Sequence, residues 1–410
     1  MWMSLKNKIK EVSIENIVLL IIVPLSWLGF GSYMAGVLTI GFIFSLFFKY
    51  KRELIFKDRV LIILLLIFTI NNVISSLLSI DRLISTLLSL LWFIVILIPM
   101  AYVRFSLNEK SEFYIKMIVP IGIYVAFIIV AYIIGKFLYS TITHNVLRDQ
   151  RYTFYFLGKQ STTLMLIVCA GIGYGWLLQK EERKYLWFGF FYLLLCSFGV
   201  ALAGDRGGFV AFFVLILILL RYDYKKLIIF IVILGIAGYF SMIKVGFFIR
   251  FKYLLDSIFV RGARRRLIDV GHIAVFRAAW EMIKDHWLMG VGTNNFSSFI
   301  RQYGNHKGYA YAHNFILQFW AENGLFGMIS GLSIITLVIY RWLKSYRLYK
   351  YKYIAYGIGA SYISLLVADL TAGSMWSISD ALQYWFLAGT ISGIYFIVKN
   401  EKDKISSEAN

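Results

Sequence analysis

Apolar runs of about eighteen residues or more recur along this chain from Ile17 to Val398, and no other feature narrows its fold so far. A run of that length crosses about 30 Å of hydrocarbon as an α-helix, in which every backbone N–H and C=O finds its partner within the segment. Composition agrees. Of 410 residues, 60% are hydrophobic and 16% charged, with a mean hydropathy of +0.72, whereas a soluble domain holds about 25% charged residues. The class is an all-α polytopic integral membrane protein.

The stretch from Ile17 to Phe48 is too long for one span at about 1.5 Å per residue, and Gly29 and Gly31 offer a turn between two short helices. The basic flank "MWMSLKNKIK" resembles a signal peptide, but no small-residue cleavage site follows it, so it reads as a retained anchor. Further spans are expected at 60–79, 83–103, 113–136, 160–179, 185–203, 208–220, 226–243, 314–340, 353–372 and 382–398. That makes about twelve crossings with one large external loop. The expected organisation is N-terminal membrane helices over 1–243, an external loop with amphipathic helices over 244–313, C-terminal membrane helices over 314–398 and a cytoplasmic tail over 399–410.

Cytoplasmic loops should be the ones rich in Lys and Arg. Counted from an inside N-terminus, the inside segments are "KYKRELIFKDR", "RFSLNEK", "QKEERK", "RYDYKK", "RWLKSYRLYKYK" and "KNEKDK", all basic, while "SIDR" and "TAGSMWSISD" fall outside. Much of the formal net charge of +20 therefore sets topology, and no nucleic-acid partner is implied. Cys169 and Cys196 sit inside apolar runs and read as packing residues. No internal repeat or low-complexity tract is evident.

Two outside segments break the charge rule. Residues 244–307 carry eleven Lys and Arg against four Asp and Glu, including Arg250, Arg261, the run Arg264, Arg265, Arg266, then Arg277 and Arg301. The segment over 137–159 adds Arg148, Arg151 and Lys159. Long translocated loops escape the charge rule, so this charge is free for another use.

Three places on the outer side could carry chemistry. In "ALAGDRGGF", Arg206 stands where a helix should start near Gly207; a guanidinium, two glycines and free helix N–H groups suit a phosphate oxygen. A pair with Asp205, or snorkelling to headgroups, is the structural alternative. In "AVFRAAWEMIKDHWLMGVGTNNF", Phe276, Trp280, Met282 or Ile283 and Trp287 recur at helical spacing, which predicts an amphipathic helix over the membrane or a cavity. Arg277 lies on it with Glu281 at i,i+4 as a possible partner, and the glycines of "GVGTNNF" break it. In "YAYAHNFILQFWAENGLFG", His313 and Asn314 mark re-entry into the membrane, and His313, Gln318 and Glu322 are expected near one flank. His313 reads as a general base, a phosphate-binding group or a hydrogen-bonded structural residue. His272, His286 and His306 match no metal-site spacing, and no metal or cofactor is expected.

Taken in order, these pieces resemble the O-antigen ligase and O-antigen polymerase superfamily of membrane glycosyltransferases. The resemblance rests on Asp205-Arg206-Gly207, on "FRAAWEMIKDHWLMGVGTNNF" and on "HNFILQFWAENGLFG", and is specific over about 200–330. Where many members have Ser before the first arginine this chain has Asp205, and where many have Pro after Asp-His it has Trp287. The resemblance implies glycosyl transfer from an undecaprenyl-pyrophosphate-linked oligosaccharide, facing out of the bacterial plasma membrane. It implies that Arg206 and Arg277 clamp the pyrophosphate with help from Arg264, Arg265 or Arg266, and that His313 orients the donor or takes the acceptor proton. Direct displacement would invert the anomeric carbon. Asp205, Glu322 and Asp369 are further candidates to bind substrate or share the base role.

The acceptor is another lipid-linked glycan for a polymerase, or lipid A core for a ligase. The Lys-, Ile- and Tyr-rich composition leans towards a polymerase of a capsule maker. A flippase and a chain-length regulator are the expected protein partners. A lipid-linked oligosaccharide flippase is the alternative of another class, against which the absence of internal repeats counts.

Overall fold

The computed structural model describes residues 58–79, 81–142, 159–221, 223–233, 270–304, 311–372 and 378–408. The spans expected at 17–48, most of the span at 226–243, and Arg148, Arg151, Arg250, Arg261, Arg264, Arg265, Arg266 and His306 lie outside the described residues. In chain order the helices are α1 (Arg59–Leu77), α2 (Arg82–Ile142), α3 (Lys159–Gln179), α4 (Arg183–Ala203) and α5 (Arg206–Leu220), followed by helix over 224–233. After these come α6 (Val270–His286), α7 (Phe296–Phe299) with a 3-10 turn (Ile300–Tyr303), α8 (Phe315–Ser345), α9 (Lys352–Ala372) and α10 (Ile378–Glu408). Among the described residues there is no strand.

Among the described residues six stretches are long and apolar enough to cross a membrane: Arg59–Leu77, Gly122–Tyr139, Gln160–Gln179, Arg183–Ala203, Phe315–Ser345 and Lys352–Thr371, with shorter apolar helix at Arg82–Phe93 and Gly207–Leu220. Over its described residues the protein is thus an all-helical, multi-pass membrane protein. The span expected at 382–398 falls in α10, an interior helix with Tyr384, Trp385, Phe386, Leu387, Ala388 and Ile391 all buried. Cys169 and Cys196 are fully buried packing residues.

One expectation is corrected. The segment "RFSLNEK", read as a cytoplasmic loop, continues as helix within the 61 residues of α2. Nothing between Val103 and Phe113 breaks a helix, since the prolines of this element, Pro99 and Pro120, lie on either side. At about 1.5 Å per residue α2 is roughly 90 Å of helix, about three hydrocarbon thicknesses.

Contacts sort the other segments onto two ends. At the basic end Arg341 Nη2 meets Asp58 Oδ1 at 2.7 Å, Lys352 approaches Glu181 at 3.9 Å, Arg221 Nη2 donates to the Tyr346 hydroxyl at 3.2 Å, and Tyr353 N donates to Gln179 Oε1 at 3.2 Å. These contacts join the loops assigned to the cytoplasm. At the other end Ser85 Oγ donates to Thr293 O at 2.8 Å and Asn314 Nδ2 to Leu370 O at 3.2 Å, joining segments assigned to the outside. A large apolar core fills the bundle, and a satellite core of Val275, Ala278, Ala279, Met282, Ile283, Val291, Phe296, Ile300, Ala312 and Ala321 seats α6 on the outer end of α8.

Candidate functional site

The chain enters α8 through a strained turn. His313 has φ 53°, the left-handed region that a non-glycine residue occupies only where its surroundings hold it. The holding groups lie on both sides. Before it, Ala312 N donates to Gln318 Oε1 at 2.6 Å. After it, Asn314 is the N-cap, its Oδ1 accepting from Ile316 N at 3.0 Å and Leu317 N at 3.1 Å. The amide Nδ2 of Asn314 donates to Leu370 O on α9.

The outer end of α9 also meets the start of α5. Asp205 is the N-cap residue, and Arg206 is the first residue of the helix. A β-carbon on Gly207 would lie 3.3 Å from the Thr371 β-carbon and against its hydroxyl, so the two helices approach closely here. Asp205 is buried, and Asp369 is fully buried within the last turn of α9. Residues 368–371 therefore tie the Arg206 helix start to the His313 turn, with Asp369 between them in sequence. Cysteines at positions 207 and 371 test this. The spacing lies a few tenths of an ångström below the disulfide range of about 3.5–4.5 Å between β-carbons. Gly207→Cys/Thr371→Cys should oxidise to an intramolecular disulfide detectable in peptide digests; persistence of two free thiols under oxidant would refute the approach.

Helix α6 is amphipathic, as its spacing predicts, and packs against α8 through small and aliphatic residues. Val275, Ala278, Ala279, Met282 and Ile283 are buried, while Trp280 is 45% and Trp287 51% exposed. Small residues let α6 lie close on α8, and the aromatics form a rim instead: Trp280 meets Trp320 edge-on at 5.8 Å, and Trp320 Nε1 donates to Trp287 O at 3.0 Å. Arg277 is exposed beside this rim. Glu281, its expected partner, is taken by Lys284 Nζ at 2.8 Å and 3.0 Å, and Arg277 forms no ion pair among the described residues.

Residues Gly290 to Phe296 then wrap around a break in α8. Gly324 sits at φ 68° and ψ −171°, and a methyl group there would collide with the Leu288 carbonyl, as one on Gly290 would with Glu322 O. The backbone groups freed by the break are satisfied across it: Leu325 N donates to Trp287 O at 2.9 Å, Val291 N to Ala321 O at 2.9 Å and Gly292 N to Glu322 O at 2.8 Å. Glu322, 2% exposed, accepts at Oε1 from Gln318 Nε2 at 2.8 Å and Phe296 N at 3.2 Å. Beyond α7, the Tyr303 hydroxyl donates to Asp285 Oδ2 at 2.9 Å. Burial and then that carboxylate push Tyr303 up to about 12, so it remains a donor at physiological pH.

Sequence reasoning missed the support beneath this loop. Asn71 Nδ2 donates to Asn323 O at 2.5 Å, Ser75 Oγ to Glu322 O at 2.8 Å, Ser89 Oγ to Thr293 Oγ1 at 2.8 Å, and Thr293 Oγ1 to Asn323 Oδ1 at 3.0 Å. The signal was present in "NNVISSLLS": Asn71, Ser75 and Ser79 recur every four residues, marking one polar helix face inside an apolar span. Gln318 and Glu322 do lie together as expected, whereas His313 stands just outside the helix. The side chain of Arg206 and the run Arg264 to Arg266 fall outside what is described.

A family model described as O-antigen ligase matches residues 191–332, from the middle of α4 to just past the break in α8. Arg206, Arg277, His313 and Glu322 are inside the match, and Asp369 is beyond it. No match is found among curated proteins. Over residues 191–332 this chain is therefore similar to the O-antigen ligase family, which supports its place in the O-antigen ligase/polymerase superfamily.

Proposed function

We propose that the protein transfers an oligosaccharide from undecaprenyl pyrophosphate to a sugar hydroxyl at the outer face of the bacterial plasma membrane, as a polymerase in O-antigen or capsule assembly. The observation that supports this best is the junction at α9, where contacts at Leu370 and Thr371 bring the His313 turn and the Arg206 helix start to one outer-end site. The acceptor oxygen attacks the anomeric carbon as the bond from that carbon to the pyrophosphate oxygen breaks. His313 takes the hydroxyl proton, the configuration inverts, and the lipid pyrophosphate departs with the bonding electron pair. Arg206 and Arg277 hold the charge that develops, Arg264, Arg265 and Arg266 draw in the donor, and Asp205 and Asp369 orient the site. In this reading the guanidinium groups take the part that a divalent metal plays elsewhere.

The description of the matching family supports a second reading, ligation of finished glycan to lipid A core. One assay separates them: purified protein with a lipid-pyrophosphate oligosaccharide and a chelator. A ladder of longer lipid-linked glycans is the expected product. Transfer only after adding lipid A core assigns the ligase, and lipid movement across vesicles without any transfer assigns a flippase.

A further inference from the structure

We infer that Gln318 and Glu322 are positioning residues that set the His313 turn against the loop carried by α6; this rests on the proposed role of His313. Three hydrogen bonds form one buried chain. Ala312 N donates to Gln318 Oε1 at 2.6 Å, Gln318 Nε2 donates to Glu322 Oε1 at 2.8 Å, and the same oxygen accepts from Phe296 N at 3.2 Å. The backbone of Asn294 adds a further bond to this carboxylate. All the groups are withdrawn from solvent: Ala312 and Phe296 are 0% exposed, Gln318 1% and Glu322 2%. Both side chains are buried between the His313 turn and the loop carried by α6.

The geometry explains why an amide followed by a carboxylate serves here. His313 is held at φ 53° by its neighbours rather than by its own preference. The peptide N–H of Ala312 precedes that residue directly and needs a buried acceptor. Gln318 offers the acceptor with one end of its amide and must then place its N–H2 group on a second acceptor. Glu322 supplies it and, as a carboxylate with several acceptor sites, takes the loop N–H as well. Its own carbonyl receives Gly292 N and Ser75 Oγ, each at 2.8 Å, so the residue is fixed at both ends. A shift of the α6 loop is thereby passed to the residue before His313 through hydrogen bonds of fixed geometry. In a site where misplacement of about 1 Å can cost about a hundredfold in rate, such a link controls activity from beyond the reacting atoms.

The test uses the full chain in lipid nanodiscs and diethyl pyrocarbonate, which acylates accessible imidazole, with labelling rates read by peptide mass spectrometry. His286, packed against Phe299 on α6, is the internal control. Gln318→Leu and Glu322→Leu remove the link and should change the His313 rate several-fold with His286 unaltered. Glu322→Gln keeps an acceptor oxygen for Phe296 N and Gln318, and should stay near wild type. In the transfer assay, Gln318→Leu should lower kcat by about tenfold or more while the donor KM stays within about twofold. An unchanged His313 rate in both leucine variants would overturn the positioning role. So would His286 and His313 shifting together in both, since that reports general loosening. If the His313 rate shifts as expected but His313→Ala retains full transfer, positioning stands and the function assigned to His313 falls.

Discussion

Alanine at Arg206 or at Arg277 should lower glycosyl transfer about 10²- to 10³-fold, the cost of removing one preorganised donor from a site of developing charge. The loss should appear in kcat and in kcat/KM alike, because the pyrophosphate gains a further negative charge as its bond to the anomeric carbon breaks. Lysine at either position should recover little, since a point charge does not reproduce the planar two-pronged contact of a guanidinium with phosphate oxygens. The two losses should be far from additive, because both arginines serve one leaving group. Initial rates on a lipid-pyrophosphate oligosaccharide measure this. Transfer within about twofold of wild type in either alanine variant would remove that arginine from the clamp.

The largest effect on stability is expected at the opposite end of the bundle. Arg341 and Asp58 form an ion pair at 2.7 Å with side chains 3% and 5% exposed. Arg341 also donates to Ser392 Oγ at 3.1 Å and lies over the Phe396 ring at 5.1 Å, while Asp58 caps α1 through Leu61 N at 3.3 Å. Arg341→Met should destabilise the protein by about 3–5 kcal/mol, because it removes one member of a buried ion pair. Asp58→Asn in the same chain should recover part of that loss by removing the buried charge that faced Arg341. Unfolding midpoints in mixed micelles read both changes. Equal midpoints for Arg341→Met and wild type would show that water reaches Asp58.

This ion pair also shows how much the sequence made legible. Asp58 lies in "KYKRELIFKDR" and Arg341 in "RWLKSYRLYKYK", both assigned to the cytoplasm from charge alone, and they touch. Charge asymmetry reports on sides because insertion acts on short loops one at a time. The same logic misses what happens within a span. "RFSLNEK" has the charge of a loop, but without a breaker the backbone stays helical. On α6 the spacing marked an amphipathic helix, but not that Ala278 and Ala279 would make the close approach to α8 and leave Trp280 and Trp287 exposed. The residue types of the candidate site were readable as polar exceptions at the lips of apolar runs. Its support was not. Hydrogen bonds such as Asn71 to Asn323 join residues 252 positions apart, and a one-dimensional pattern contains no such pairing.

A photoreactive lipid-pyrophosphate glycan, crosslinked to the protein in nanodiscs and mapped by mass spectrometry, tests the central claim most directly. The account predicts labels within 205–208, 311–314 and 369–371, lost together in Arg206→Ala. Labels confined to the basic end, around Arg221 and Arg347, or label at the outer end that survives Arg206→Ala undiminished, would contradict it.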